Sequence, residues 1–330
     1  MATLDKAPLI ELRGPLIDVG IFRDTLLPSI AIHSGLSLIA YGAGRYTNKV
    51  ETKDVLWPSA QLVNAWWASV GRRMVYRGLG FTQALSTLSR PERLLLGGVT
   101  IWGGRLLYRI ASRGVRRGKD HPQYDAVKKE DGFWDKALLT HYLPEAAIQA
   151  LITLPFTAPF YHQGAVFTGY HPYLQTFSVG LFFAGLFLET VADYQLDEYE
   201  ESSKSVAEVN KEGAWSIVRH PNYLGDALVH FSFPILLFAS DMLAPVELLG
   251  PLANYLFLRH IGGDKKTEEH QESHYEGEKK ADFQQNKADV TVNSFWPDVK
   301  QYANKWVWIT VGAGIAGAGV EQVLHMMGLE

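Results

Sequence analysis

Residues 174–192 read LQTFSVGLFFAGLFLETVA and carry a single charge, Glu189. A run so long and so apolar matches the roughly 20 residues a helix needs to cross a bilayer, and it sets the class of the chain. Residues 227–240, ALVHFSFPILLFAS, are followed after Asp241 by 243–258, LAPVELLGPLANYLFL, which together predict a hairpin through the membrane. Residues 94–112 are apolar apart from Arg105 and Arg109, and 138–160 ends in the Pro and aromatic residues of an interface. Residues 306–327 begin with Trp306 and Trp308 beside Lys305, as an interfacial anchor would. Weaker runs lie at 25–43 and at 59–80, the latter broken by Arg72 and Arg73. The expectation is an all-α fold, a multi-pass transmembrane helical bundle of about six to eight helices.

Composition narrows the function. Of 330 residues, 47% are apolar, 12% aromatic and 20% charged, below the roughly 25% charge of an ordinary soluble protein. The net charge of -4 gives no basic field for a nucleic acid, and the absence of Cys excludes disulfide scaffolds, thiolate metal sites and cysteine nucleophiles. A mean hydropathy of -0.05 is low for a membrane protein, and the polar residues explain it by clustering between the apolar runs. Segment 113–131 holds six bases, 193–220 is acidic and then basic, and 262–304 is a long charged stretch whose NSFWPD ending suggests that it docks. If 138–160 and 174–192 span and 227–258 crosses twice, all three polar segments share one side, which their Lys and Arg make cytosolic or matrix. Residues 1–20 read as a retained surface segment. The expected division is 1–90 as an N-terminal segment with one or two weak membrane helices, 91–262 as the membrane core, 263–304 as a polar segment, and 305–330 as a C-terminal membrane helix.

Three constellations carry chemistry. The densest runs from Gly213 to Asp226 and contains Arg219-His220-Pro221-Asn222-Tyr223-Leu224-Gly225-Asp226 directly before an apolar run. Pro221 suits the first turn of a helix, and Arg219 and His220 add positive charge to that helix's positive end, which makes an anion site. Asn222, Tyr223 and Asp226 have no explanation as a membrane-edge anchor. The second is Glu189, Asp193, Asp197 and Glu201, spaced to form one acidic stripe on a helix. Acids at membrane depth are costly, so Glu189 and Asp193 are candidates, whereas Asp197 and Glu201 suit a solvated face. The third is Trp102, Arg105 and Arg109 on one helical face, able to pair with the acidic stripe or reach phosphates. The bases at 113–119 suit topology-setting charge.

These strings resemble the membrane proteins related to steroid 5-alpha reductase: the 213–226 block, Glu189-x-x-x-Asp193-x-Gln195, and Arg116-Arg117-Gly118-Lys119-Asp120 with Tyr124-Asp125. Sterol C14 reductases resemble the chain through the same Arg-His-Pro-Asn-Tyr-Leu-Gly-Asp string. The likeness covers about 94–262 plus NSFWPD. It implies a membrane reductase that uses NADPH to reduce a carbon–carbon double bond in a hydrophobic sterol-like or enone lipid. On that likeness Asp193 faces the cofactor's amide or ribose, Arg219 and His220 hold its phosphates, and Asn222 hydrogen-bonds the nicotinamide carboxamide. Tyr223 lines the cofactor or supplies a proton, with His220 the other catalytic candidate. Glu189, Asp226, Arg105 and Arg109 complete the cofactor-binding set, and no metal is expected.

Two other readings stand beside it. Isoprenylcysteine-type carboxyl methyltransferases resemble the chain through an Arg-His-Pro-x-Tyr string and use S-adenosylmethionine. A non-catalytic membrane subunit or assembly factor is suggested by the unmatched 1–90 and by Gly262-Gly263-Asp264-Lys265-Lys266 following Arg259-His260. Such a subunit would belong to a membrane protein complex. The likeness favours the endoplasmic reticulum, with the mitochondrial inner membrane as the alternative. Gly312-Ala-Gly314-Ile-Ala-Gly317 lacks the second strand and acid of a dinucleotide fingerprint and suits close helix packing instead. His270 and His274 are one turn apart but lack the Glu of a zincin, which leaves a solvated polar helix. His162 and His171 are expected at an interface.

Overall fold

The computed structural model describes residues 19–161, 171–202, 207–289 and 291–328. The N-terminal segment up to residue 18 and His162 lie outside the described residues. The described residues are 82% helical, with no strand among them. Among the described residues, four helices are long and apolar enough to cross a membrane: Phe22–Thr47, Pro172–Glu201, Pro221–Ala239 and Lys305–Met326. The protein is therefore an all-α membrane helical bundle. Two compact units make it up, Met1–Leu174 with Pro234–Gly250, and Gln175–Phe233 with Pro251–Glu330.

In the first unit, Phe22–Thr47 is polar inside and apolar outside. Thr25, Ser29, His33 and Ser37 recur every four residues and are all buried, while Leu27, Leu38 and Ile39 are exposed. Helix Thr52–Trp66 continues through a wider π turn, Trp67–Gly71, into Arg72–Arg77. It packs on helix Arg90–Arg117 where Leu62 fills the space a side chain at Gly103 would need, and Trp66 Nε1 donates to Thr100 Oγ1 at 3.1 Å. The 138–160 run is not one membrane helix. Its helix runs through a π turn, Leu138–Tyr142, only to Ile152 and is followed by two 3-10 turns, because Pro155 and Pro159 remove the backbone donors that would continue it. His171 donates its backbone N–H to Ala239 O at 3.0 Å, and its ring stacks on Phe238.

Arg117 and Asp120 form a clip. Arg117 pairs with Glu51 at 2.6 Å, and Gly118 ends its helix at φ +68. Asp120 then accepts from the backbone N–H groups of Val50 and Glu51 at 2.9 and 3.0 Å and pairs with Lys128 at 2.8 Å. It thereby satisfies donors just ahead of helix Thr52–Trp66. Tyr124 donates to Asp54 at 2.6 Å, and Lys53 bridges Asp54 and Glu145.

In the second unit, the core gathers Leu188 and Ala192 of helix Pro172–Glu201, Leu224 and Ala227 of helix Pro221–Ala239, Leu258, and Phe295 of the NSFWPD segment. Phe295 is fully buried, which is worth roughly 1.5–3 kcal/mol for such a side chain. The polar segment therefore docks through its aromatic end. Gly314 lies so close to Gly180 that an added Cβ would come within 2.6 Å of Gly180 O, and Gly317 is equally tight against Phe183. The small residues of the last helix thus serve close packing in lipid.

Candidate functional site

The site region is built where helix Pro172–Glu201 crosses the first turns of helix Pro221–Ala239. A Cβ on Gly225 would lie 2.6 Å from both Glu189 N and Gly185 O; a Cβ on Gly185 would lie 2.6 Å from Gly225 O. Only hydrogen at both positions permits that approach. It brings the buried Glu189 beside Gly225-Asp226, and Asp193 follows one turn later, also buried. Asp226 Oδ1 lies 3.3 Å from His230 Nε2 one turn along its own helix. Asp197 is half-buried and Glu201 exposed, in keeping with a solvated outer face.

The chain enters this helix on a fixed path. Ala214 N donates to Gln195 Oε1 at 2.8 Å and Trp215 Nε1 to Ala192 O at 3.0 Å, so the 213–216 turn hangs on the helix that carries the acids. Gly213 takes φ +66 there. Arg219 N then donates to Asn293 O at 2.9 Å and His220 N to Ser294 O at 3.2 Å. The NSFWPD segment is therefore seated on the Arg-His dipeptide by its backbone.

Arg219 and His220 meet the same carboxylate oxygen. Arg219 Nε donates to Glu268 Oε1 at 2.8 Å, and His220 Nε2 lies 3.2 Å from that atom. Arg219 Nη1 also donates to Val292 O at 2.7 Å, and Ser294 Oγ donates to Glu268 Oε1 at 2.9 Å. Asp264, one turn before Glu268, is fully buried and joined to Arg259 and Ser294. Gly263 makes this turn possible, since any Cβ there would strike Leu258 O. Two arginines thus face two carboxylates, and the cationic site expected from the sequence is locally neutralised.

Protonation follows from these partners. Burial works to raise the Glu268 pKa, but hydrogen bonds from His220 and Arg219 and the Arg219 charge hold it at about 2. His220 is pushed below its ordinary value by burial, with the Arg219 and Arg259 charges adding to that effect against Glu268. The imidazole is therefore neutral near pH 7, and Arg219 is the cation that holds Glu268 ionised.

Tyr223 stacks on the His220 ring, with centroids 5.6 Å apart, and its hydroxyl lies 3.4 Å from Thr267 Oγ1. Asn222, in the first turn after Pro221, has a buried Oδ1 with no protein partner among the described residues. The second unit therefore brings together Arg219, His220 and Tyr223 around helix Asp264–His274, and sets Glu189 against Gly225 beside Asp226, with Asp193 one turn beyond Glu189. Arg105 and Arg109 belong to the first unit, half-buried on helix Arg90–Arg117 after the fully buried Trp102. Sequence reasoning missed Asp264, Glu268 and Ser294. The first two sit in a stretch that reads as solvated, and Gly262-Gly263 was the signal that the helix begins with a close turn. His270 and His274 stack on each other at 3.9 Å on that helix's outer side, where His274 is exposed.

The buried acceptor at Asn222 can take a hydrogen bond from a donor, and the Arg219 guanidinium can hold an anion in place of the Glu268 carboxylate. The family described as "Protein of unknown function (DUF1295)" matches residues 40–290. No curated protein and no solved structure matches the chain.

Proposed function

Because the chain belongs to the DUF1295 family, which is linked to steroid 5-alpha reductase-like proteins, we propose that it is an NADPH-dependent membrane reductase. Its substrate on this reading is a carbon–carbon double bond in a hydrophobic sterol-like or enone lipid. The observation that carries the reading is Asn222 Oδ1, a buried acceptor without a partner among the described residues. Leaving such an atom unmet costs about 1–3 kcal/mol, and an amide donor from a bound nicotinamide removes that cost.

NADPH supplies a hydride to the double bond when bound. The remaining work falls to the chain. Arg219 offers the fork geometry that phosphate oxygens require, and Glu268 occupies that fork in the absence of an anion. Reduction of an enone also needs a proton for the enolate, and Tyr223 is the donor because its hydroxyl is the titratable O–H beside the anion-binding pair. Neutral His220, stacked on the tyrosine ring, positions it. Asp193 is assigned to the ribose or amide groups and Glu189 to the same acidic wall, with Asp226 beside them.

The test is ligand-dependent stability of the purified protein, since a ligand that binds only the folded state raises the melting temperature. NADPH is expected to stabilise the wild type and S-adenosylmethionine is not. Asn222→Leu and Arg219→Ala should each remove the NADPH effect while keeping the helical content. Protection by S-adenosylmethionine alone would replace the reductase with a methyltransferase. Protection by neither ligand would leave a non-catalytic membrane subunit.

A further inference from the structure

We propose that the first unit contains a second binding site, for the hydroxyl end of a neutral amphiphilic lipid, among helices Phe22–Thr47, Thr52–Trp66 and Leu143–Ile152. The site is independent of the cofactor reading, because every residue in it lies in the first unit.

Three helices contribute polar side chains to one buried place. Asn64 Nδ2 donates to Thr153 Oγ1 at 3.1 Å and lies 3.5 Å from His33 Nε2. Gln149 lies against the His33 ring. Gln61 precedes Asn64 by one turn on the same face. None of these five residues is more than 2% exposed.

The contacts they make among themselves do not satisfy them. Among the described residues, both amide atoms of Gln61 and Asn64 Oδ1 are buried without a partner, as is Thr25 Oγ1 two turns before His33, whereas Gln149 is hydrogen-bonded to His33. Native interiors leave few such groups, and each one calls for an explanation. In a lipid-embedded helix the cost is higher, because the exposed face offers no water.

The chemistry of the cluster selects its occupant. The unmet amide atoms are two oxygens, of Gln61 and Asn64, and one nitrogen, of Gln61, so acceptors outnumber donors and the ligand that fits them donates. A hydroxyl donates to one amide oxygen and accepts from Gln61 Nε2, which an alkane or a carboxylate cannot do. No carboxylate or fixed cation is a member of the cluster. The acid one turn from Gln149, Glu145, is already paired with Lys53 at 2.9 Å. The apolar outer face of Phe22–Thr47, with Leu38 and Ile39 exposed, sets the site on a helix long and apolar enough to lie in a membrane.

The experiment measures binding of 1-hexadecanol, hexadecane, palmitate and hexadecylammonium to the full-length protein in detergent, by melting temperature and by native mass spectrometry. The alcohol should bind at least about tenfold more tightly than the alkane, which corresponds to one hydrogen bond made in a dry site, and more tightly than either charged chain. Gln61→Leu and the double variant Gln61→Leu/Asn64→Leu should lose the preference. Without ligand, Gln61→Leu should melt no lower than wild type, because it replaces an unmet amide by an apolar group of similar size. Equal binding of alcohol and alkane, tighter binding of a charged chain, or a preference that survives the double variant would each overturn the proposal. A cluster satisfied by water alone gives the first of these results. Loss of the NADPH effect leaves the alcohol result untouched, so the two readings fail separately.

Discussion

Glu268 shows how one carboxylate changes the meaning of a motif. Arg219 and His220 read as a cationic pair in the sequence, yet both are bound to Glu268 Oε1. The carboxyl is held at about 2 in the folded state, against roughly 4.3 for an unperturbed Glu. Its contribution to stability is therefore complete above the unfolded value and is lost as pH falls from about 4.3 towards 2. His220 is also shifted down, so it adds a loss of stability that starts as pH falls below its ordinary value near 6.5. Glu268→Gln should flatten the lower part of this acid profile and destabilise the protein at neutral pH by about 1–3 kcal/mol, allowing for partial exposure of the pair. Melting curves from pH 7 to pH 3 check both effects; an unchanged acid limb in the variant would remove Glu268 from this role. The same variant frees the Arg219 fork, so NADPH should stabilise it by more than it stabilises wild type.

Between elements, close helix approach decides where the acids stand. Gly225→Ala puts a methyl 2.6 Å from two backbone atoms of the neighbouring helix, and backbone cannot yield as a flexible side chain can. Overpacking of this kind costs about 1–3 kcal/mol or more, and it should also displace Glu189 and weaken NADPH protection. Gly312→Ala, where nothing lies within 4 Å, should be neutral or slightly stabilising in the same melting assay. The Asp120 clip is a second element-level device. Asp120→Asn keeps the shape but loses the Lys128 charge pair and weakens two charge-assisted bonds to Val50 and Glu51. A loss of about 1–2 kcal/mol is expected from a cap of this type, read as a lower melting temperature with unchanged helical content.

At the scale of the whole molecule, four apolar helices predict that alkaline carbonate washing leaves the protein in the membrane pellet; release into the supernatant would contradict the spans. Those helices were legible as runs of hydropathy, because lipid demands apolar surface over a fixed length. The run at 138–160 was not legible as broken, since its composition is as apolar as that of a span and its prolines act through backbone geometry. The face of the acidic stripe was legible from its four-residue spacing, whereas the partners of Arg219 were not, because Glu268 and Ser294 are distant in sequence and belong to a stretch that reads as solvated. The buried line of Thr25, Ser29, His33 and Ser37 was spaced as plainly as the acids, but uncharged residues in an apolar run raise no alarm. The sequence by itself determined the helical membrane class and the Arg219–Asp226 block, because periodicity and hydropathy are local properties of a chain. Tertiary structure alone decided which carboxylate neutralises that block and which polar side chains lie unmet in the interior, because both depend on packing between segments that local pattern does not encode.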